Sequence, residues 1–115
     1  MARTPEEVFG HHVQALGAGD LDEIVADYAE DAVFISPSGV LRGKGGIRTA
    51  FTKLLSDVPN ADWTLKTTIY EGDVLFLEWA ADAGATFADD GIDTFVFSGG
   101  LIQVQTVRYT LQHRS

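Results

Sequence analysis

Two side chains in this sequence combine proton chemistry with apolar surroundings. His12 stands between Val8 and Leu16 on one apolar stripe of a helical pattern. Asp93 shares one face of a strand pattern with Phe95 and Phe97, while Thr94 and Val96 take the other. An imidazole titrates near neutrality, so a modest change of environment makes it an acid, a base or a hydrogen-bond donor. A carboxylate beside two phenylalanines is costly to bury charged. It belongs either at a rim or in a pocket, with a raised pKa and a partner. If one cavity receives both groups, His12 serves as base or acid and Asp93 as its partner or as a donor to an enolate oxygen, with Tyr28, Ser36 and Tyr109 as orienting hydroxyls. The plainer alternatives are a buried neutral His12 satisfied by one hydrogen bond and a Tyr109 packed with its hydroxyl at the core's edge.

Other chemistries find less support. The chain has no cysteine, which excludes thiolate nucleophiles, thiolate metal sites and disulfides. No Gly-x-Ser-x-Gly elbow is present. The histidines show no metal-ligand spacing, so neither a metal nor a cofactor is expected. Gly43-Lys44-Gly45-Gly46 lacks phosphate-loop spacing and reads as a loop entering a helix. The formal charge is −9, from 17 acidic and 8 basic residues. That surface repels phosphate backbones and anionic lipid, so nucleic-acid and membrane partners are not expected. No secretory signal or spanning segment is visible in the 115 residues, and a cytoplasmic location is the default expectation. Length and an ordinary 45% apolar content suit one domain over residues 1–115.

The elements that must position these groups fall in a clear order. Thr4-Pro5-Glu6-Glu7 is a capping box with proline at the first helical position, and Gly17 and Gly19 end that helix. Asp20 opens a second, short helix whose apolar face carries Leu21, Ile24, Val25 and Tyr28. Residues 32–36 read as a buried strand stopped at Pro37-Ser38-Gly39, with a short return strand at Val40 and Leu41. A third helix follows, with Ile47, Ala50, Phe51, Leu54, Leu55 and Val58 on one face. From Trp63 the period changes to two: Trp63, Leu65, Thr67 and Ile69 alternate with Thr64, Lys66, Thr68 and Tyr70. Strands are expected over residues 74–81, 93–98 and 101–112, with residues 83–91 ambiguous. On the last strand Gln103, Gln105, Val107 and Tyr109 share a face. Helices segregated from an antiparallel sheet define an α+β fold. A curved sheet wrapped on helices leaves a concave space of the kind that small ligands occupy. Phe34, Phe51, Trp63, Phe95 and Tyr28 supply apolar wall there, and Glu78 interrupts an apolar run for a reason the sequence does not give.

Several of these segments resemble one family. Gly19-Asp20-Leu21-Asp22, then Tyr28-Ala29-Glu30-Asp31-Ala32-Val33, then Pro37 and Gly39, then Arg42-Gly43 before Ile47 and Phe51, are similar to the amino-terminal half of ketosteroid isomerases and SnoaL-like polyketide cyclases. Residues 91–97, a glycine turn and Ile102 through Tyr109 resemble the last hairpin of the same group, the nuclear transport factor 2-like superfamily. The resemblance implies a cone-shaped curved antiparallel sheet packed on three N-terminal helices, commonly dimeric through the sheet. Ketosteroid isomerases use a carboxylate base, a tyrosine and a protonated aspartic acid. By position the base falls on Ser36, the tyrosine on His12 and the protonated aspartate on Asp93. A serine hydroxyl cannot abstract a proton beside a carbonyl unaided, so the isomerase machinery is not copied intact.

The expected function is therefore a domain that binds a small, mostly apolar molecule between sheet and helices, with His12 and Asp93 as candidate catalytic groups. Tyr28, Phe34, Ser36, Phe51, Trp63, Phe95, Gln105 and Tyr109 are the candidate ligand contacts. If it is an enzyme, it is a cofactor-free isomerase, cyclase or lyase. A non-catalytic binding module and a purely structural dimer are the competing readings, and a homodimer through the sheet fits all three.

Overall fold

A computed structural model describes residues 2–114. Helix α1 (Pro5–Ala18) starts where the capping box puts it: the Thr4 hydroxyl accepts from the Glu7 amide, and the Glu7 carboxylate accepts from the Thr4 amide. Gly19, at a left-handed φ of 65°, ends it. Helix α2 (Leu21–Ala26) is capped by Asp20. The chain then enters β1 (Tyr28–Ser36), β2 (Gly39–Arg42), α3 (Gly43–Asp57), β3 (Asp62–Glu71), β4 (Val74–Asp82), β5 (Thr86–Ser98), β6 (Leu101–Arg108) and the two-residue β7 (Gln112–His113).

The strands form one sheet in the order β2-β1-β6-β5-β4-β3, with β7 beside β5. All pairings are antiparallel except β1 with β6, which is parallel. The α+β class with a curved sheet packed on helices is thus the architecture the sequence implies, and the sheet is mixed rather than wholly antiparallel. Its concave face carries the row Tyr70–Leu75–Phe95–Gln105–Phe34–Leu41, read across six strands from the register. Val8, Phe9 and His12 of α1 and Ile47 and Phe51 of α3 pack onto that face.

Four details differ from the sequence reading, each for a physical reason. Tyr28 belongs to β1, not to α2, because Asp27 caps the helix and the Asp27 carbonyl already accepts from the Ile102 amide of β6. Strand β5 begins at Thr86, so residues 86–91 of the ambiguous small and acidic stretch are sheet. The final strand breaks after Arg108, and only residues 112–113 return to the sheet, against β5. Strand β3 does not alternate strictly. A bulge between Leu65 and Thr67 puts Trp63, Leu65, Thr68 and Tyr70 on the concave side and Thr67 and Ile69 on the convex side.

Candidate functional site

Between the sheet and helices α1 and α3 lies a cavity of about 380 Å³, within the size range of small-molecule sites. Its wall is mostly apolar, from Phe9, Leu16, Phe34, Phe51, Leu77 and Phe95 among others. His12 and Asp93 both line it. So do Phe34, Ser36, Phe51, Trp63, Phe95, Gln105 and Tyr109. Tyr28 does not line it: as a β1 residue it is wholly buried behind Gln105, to whose carbonyl its hydroxyl donates.

Asp93 is the polar centre of the buried end. The Trp79 indole N–H donates to its Oδ1 at 2.9 Å, and the Gln105 amide donates to its Oδ2 at 2.8 Å. The Tyr28 hydroxyl, by donating to Gln105 Oε1, leaves the Gln105 amino group as the end that faces Asp93. Burial dominates: it pushes the Asp93 carboxyl up to about 7, although both donors pull the other way. Since each oxygen already receives a donor, the acid form must place its proton on a remaining lone pair. Asp93 is then a hydrogen-bond donor set in an apolar wall.

Local structure fixes this arrangement. Trp79 faces Gly91 across the β4–β5 ladder. A Cβ at Gly91 would lie 2.1 Å from Trp79 Cε2, so only glycine admits the indole in this position. The indole then reaches Asp93, one inward step further along β5.

His12 projects from α1 into a ring of aromatic neighbours. The centroids of Phe51, Phe95, Tyr28 and Phe9 lie 5.5, 5.6, 5.9 and 6.1 Å from its own. Burial, opposed weakly by the Asp27 carboxylate, pulls the imidazole down to about 4. At neutral pH it is uncharged, and its Nδ1 is buried without a hydrogen-bond partner. His12 and Asp93 share one cavity and are not hydrogen-bonded to each other. Neighbouring His11, on the other side of α1, turns away from the cavity: its Nδ1 lies 2.7 Å from the buried Asp27, which also accepts from Arg3 at 3.0 Å.

A second polar group stands where α3 ends. The Tyr109 hydroxyl donates to Asp57 Oδ2 at 2.8 Å, and the Lys53 ammonium donates to the same oxygen at 2.6 Å. Asp57, Lys53 and Tyr109 all line the cavity. Burial and the bond to Asp57 both push the Tyr109 phenol up. The Tyr109 ring meets Trp79 at 5.5 Å between centroids, and Trp79 meets Trp63 at the same distance. Ser36 lines the cavity with Pro37 and Ser38, and its oxygen accepts from the Ser38 amide at 3.2 Å. Glu78 faces the convex side, in register with Thr67 and Ile92, away from the cavity. Among the described residues no three His, Cys, Asp or Glu side chains converge to hold a metal.

Trp79, Asp57 and Lys53 are among the polar cavity residues that the sequence reading missed, with Ser38 and Thr49. Trp79 left one trace, its place on the inward face of β4 with Leu75, Leu77 and Ala81, where an indole N–H needs a partner.

The site is thus a cavity between a curved sheet and helices α1 and α3, with a buried, doubly bonded carboxyl at its closed end. The chain belongs to the SnoaL-like domain family, whose model matches residues 9–105. No curated protein matches at a significant level. Among solved structures, it is similar to an NTF2-like protein of unknown function from Burkholderia xenovorans LB400, at 23% identity and a TM-score of 0.76, covering 96% of this chain and 86% of that one. A candidate ketosteroid isomerase from Kribbella flavida aligns at 14% identity and a TM-score of 0.77, covering 96% and 81%. IdmH, a candidate polyketide cyclase from Streptomyces antibioticus, aligns at 16% identity and 0.75, covering 93% and 92%. At these identities the likeness is one of fold.

Proposed function

We propose that this domain binds a small, mostly apolar carbonyl compound with its oxygen at the buried end of the cavity, and that it moves a proton on that compound without a cofactor. The observation that carries the reading is Asp93, a carboxyl held near neutrality as a donor by burial, with Trp79 and Gln105 fixing both its oxygens. A protonated carboxyl stabilises the oxygen of an enolate more than that of a ketone, because charge develops there. His12, uncharged at neutral pH, acts as a hydrogen-bonding wall group rather than as the acid. The SnoaL-like family and the cyclase- and isomerase-like neighbours are consistent with such chemistry.

The reading is tested by thermal unfolding of the native protein and Asp93→Asn against cyclic ketones, steroid enones and aromatic polyketide fragments. A ligand that binds the native state raises its melting temperature by mass action. The expected result is a shift with at least one ketone that shrinks in Asp93→Asn. A ketone shift of equal size in both proteins refutes the assignment of Asp93.

The domain is also proposed to pair with a second copy through its convex face. Read across the register, that face carries the row Ile69–Phe76–Thr94–Thr106–Ile35–Val40. Of these, Ile69, Phe76, Ile35 and Val40 are large apolar side chains left exposed. Exposed apolar side chains on either side of the central threonine pair support this reading.

A further inference from the structure

The turn that would carry a base offers only Ser36, whose oxygen already accepts from the Ser38 amide, and His12 is a poor base once its imidazole is buried. Two of the residues lining the cavity are carboxylates, Asp93 and Asp57. We infer that Asp57, at the end of α3, is the proton-abstracting base of this cavity, with Lys53 and Tyr109 as its positioning residues. The inference rests on the proton-transfer reading above and names the group that reading lacks.

Asp57 is held as a reacting group must be. Its backbone carbonyl accepts from the Thr86 hydroxyl at 2.6 Å, which ties the end of α3 to β5. Its side chain is mostly covered, and the Lys53 ammonium one turn back along α3 fixes its position. Lys53 and Tyr109 both bond Oδ2, so Oδ1 carries neither of them and offers its lone pairs to a substrate. The two carboxyls sit at opposite ends of one pair of rings in contact: Trp79 bonds Asp93, Tyr109 bonds Asp57, and the rings meet tilted at 52°, with centroids 5.5 Å apart. Asp93 is buried between two neutral donors, and Asp57 is bonded by an ammonium and a phenol. Two carboxyls in surroundings this different are suited to separate acid and base roles.

The step balances. Asp57 Oδ1 takes a proton from the carbon beside the substrate carbonyl. The C–H electron pair becomes the C=C bond of an enolate, and the carbonyl π pair moves to oxygen, which accepts a hydrogen bond from the Asp93 hydroxyl. Return of the proton by Asp57 to the same carbon gives exchange, and its return to a conjugated carbon gives isomerisation. Neither consumes a co-reactant.

The test uses 2-tetralone, a bicyclic apolar ketone with an acidic methylene, in deuterated buffer. Proton NMR follows loss of the methylene signal, and ligand-observed titration gives its Kd. The native protein is expected to bind the ketone and to speed exchange over buffer. Asp57→Asn should bind within a few-fold of native and lose about 100-fold or more of the exchange rate. Tyr109→Phe keeps the ring but removes a donor from Asp57, so the acid limb of its pH–rate profile should move to higher pH. Exchange by Asp57→Asn at the native rate, or an unmoved profile in Tyr109→Phe, overturns the base assignment and leaves the cavity reading standing. Binding without exchange by the native protein overturns proton transfer and this inference together. No binding at all overturns the ligand class as well.

Discussion

Replacing Asp93 by asparagine should expose a pH dependence of stability that the native protein conceals. In the folded chain Asp93 titrates at about 7, and in the unfolded chain near the ordinary value of 3.8. Between those values the native state holds the extra proton, so this group's contribution to stability falls as pH rises. His12 has the opposite sign. Its folded value is about 4 against 6.5 unfolded, so the unfolded state holds the extra proton and stability rises with pH across that window. From about pH 4 to 6.5 the folded pair is neutral imidazole with carboxylic acid, and the unfolded pair is imidazolium with carboxylate. Both hold one proton, and the two slopes cancel. Each slope alone is about 1.4 kcal/mol per pH unit. Asparagine removes the falling one. Between about pH 4.5 and 6, Asp93→Asn should therefore gain about 2 kcal/mol of stability relative to the native protein. Urea unfolding at the two pH values measures it, and the other carboxylates drop out because they are common to both proteins. Parallel pH profiles would show that Asp93 is ionised in the folded state, and the acid role assigned to it would fail.

Two further changes probe the frame around the site. Gly91→Ala should drive the Trp79 indole off Asp93, destabilise the fold by about 1–3 kcal/mol as overpacking does, and abolish the 2-tetralone melting shift; an undiminished shift would show that the indole contact is dispensable. Phe76→Glu, beside Ile69 on the convex face, should convert a dimer to a monomer by light scattering with the cavity still able to bind, and a native protein already monomeric at tens of micromolar refutes the pairing.

What the sequence made legible was local or periodic. The Thr4–Glu7 box, the helical stripe that buries Val8 and His12, and the alternation that turns Asp93, Phe95 and Phe97 inward are each decided within a few residues. The resemblance then brought His12 and Asp93 towards one space, and the cavity contains both. Legibility ended where register decides. Tyr28 continues the spacing of Leu21, Ile24 and Val25, and only the Asp27 cap and the parallel partner strand assign it to β1. The bulge beyond Leu65 reverses the faces of β3, and no residue type announces it. Likewise on β6 the shift opposite Val96 turns Ile102 inward and leaves Gln103 to bond Asp31, against the simple alternation. The Trp79–Asp93 bond depends on which residue of β5 stands opposite the indole, and a glycine in a stretch of small residues does not declare that role. Lys53 and Asp57, four apart on a helix, read as a solvated ion pair until the fold places Tyr109 beside them.

The parallel contact between β1 and β6 also governs how the chain reaches this state. Phe34 stands beside Gln105, so a strand from the first third of the chain must wait for one from the last sixth. Contacts of such sequence separation carry a large loop-closure cost and slow the folding of a domain relative to its helices. The cavity wall needs α1, β1, α3 and β6 at once, so no fragment of the chain encloses it. A ligand bound as proposed would therefore slow unfolding of the whole chain rather than protect any one segment, and nascent chains would not bind it until synthesis had passed β6.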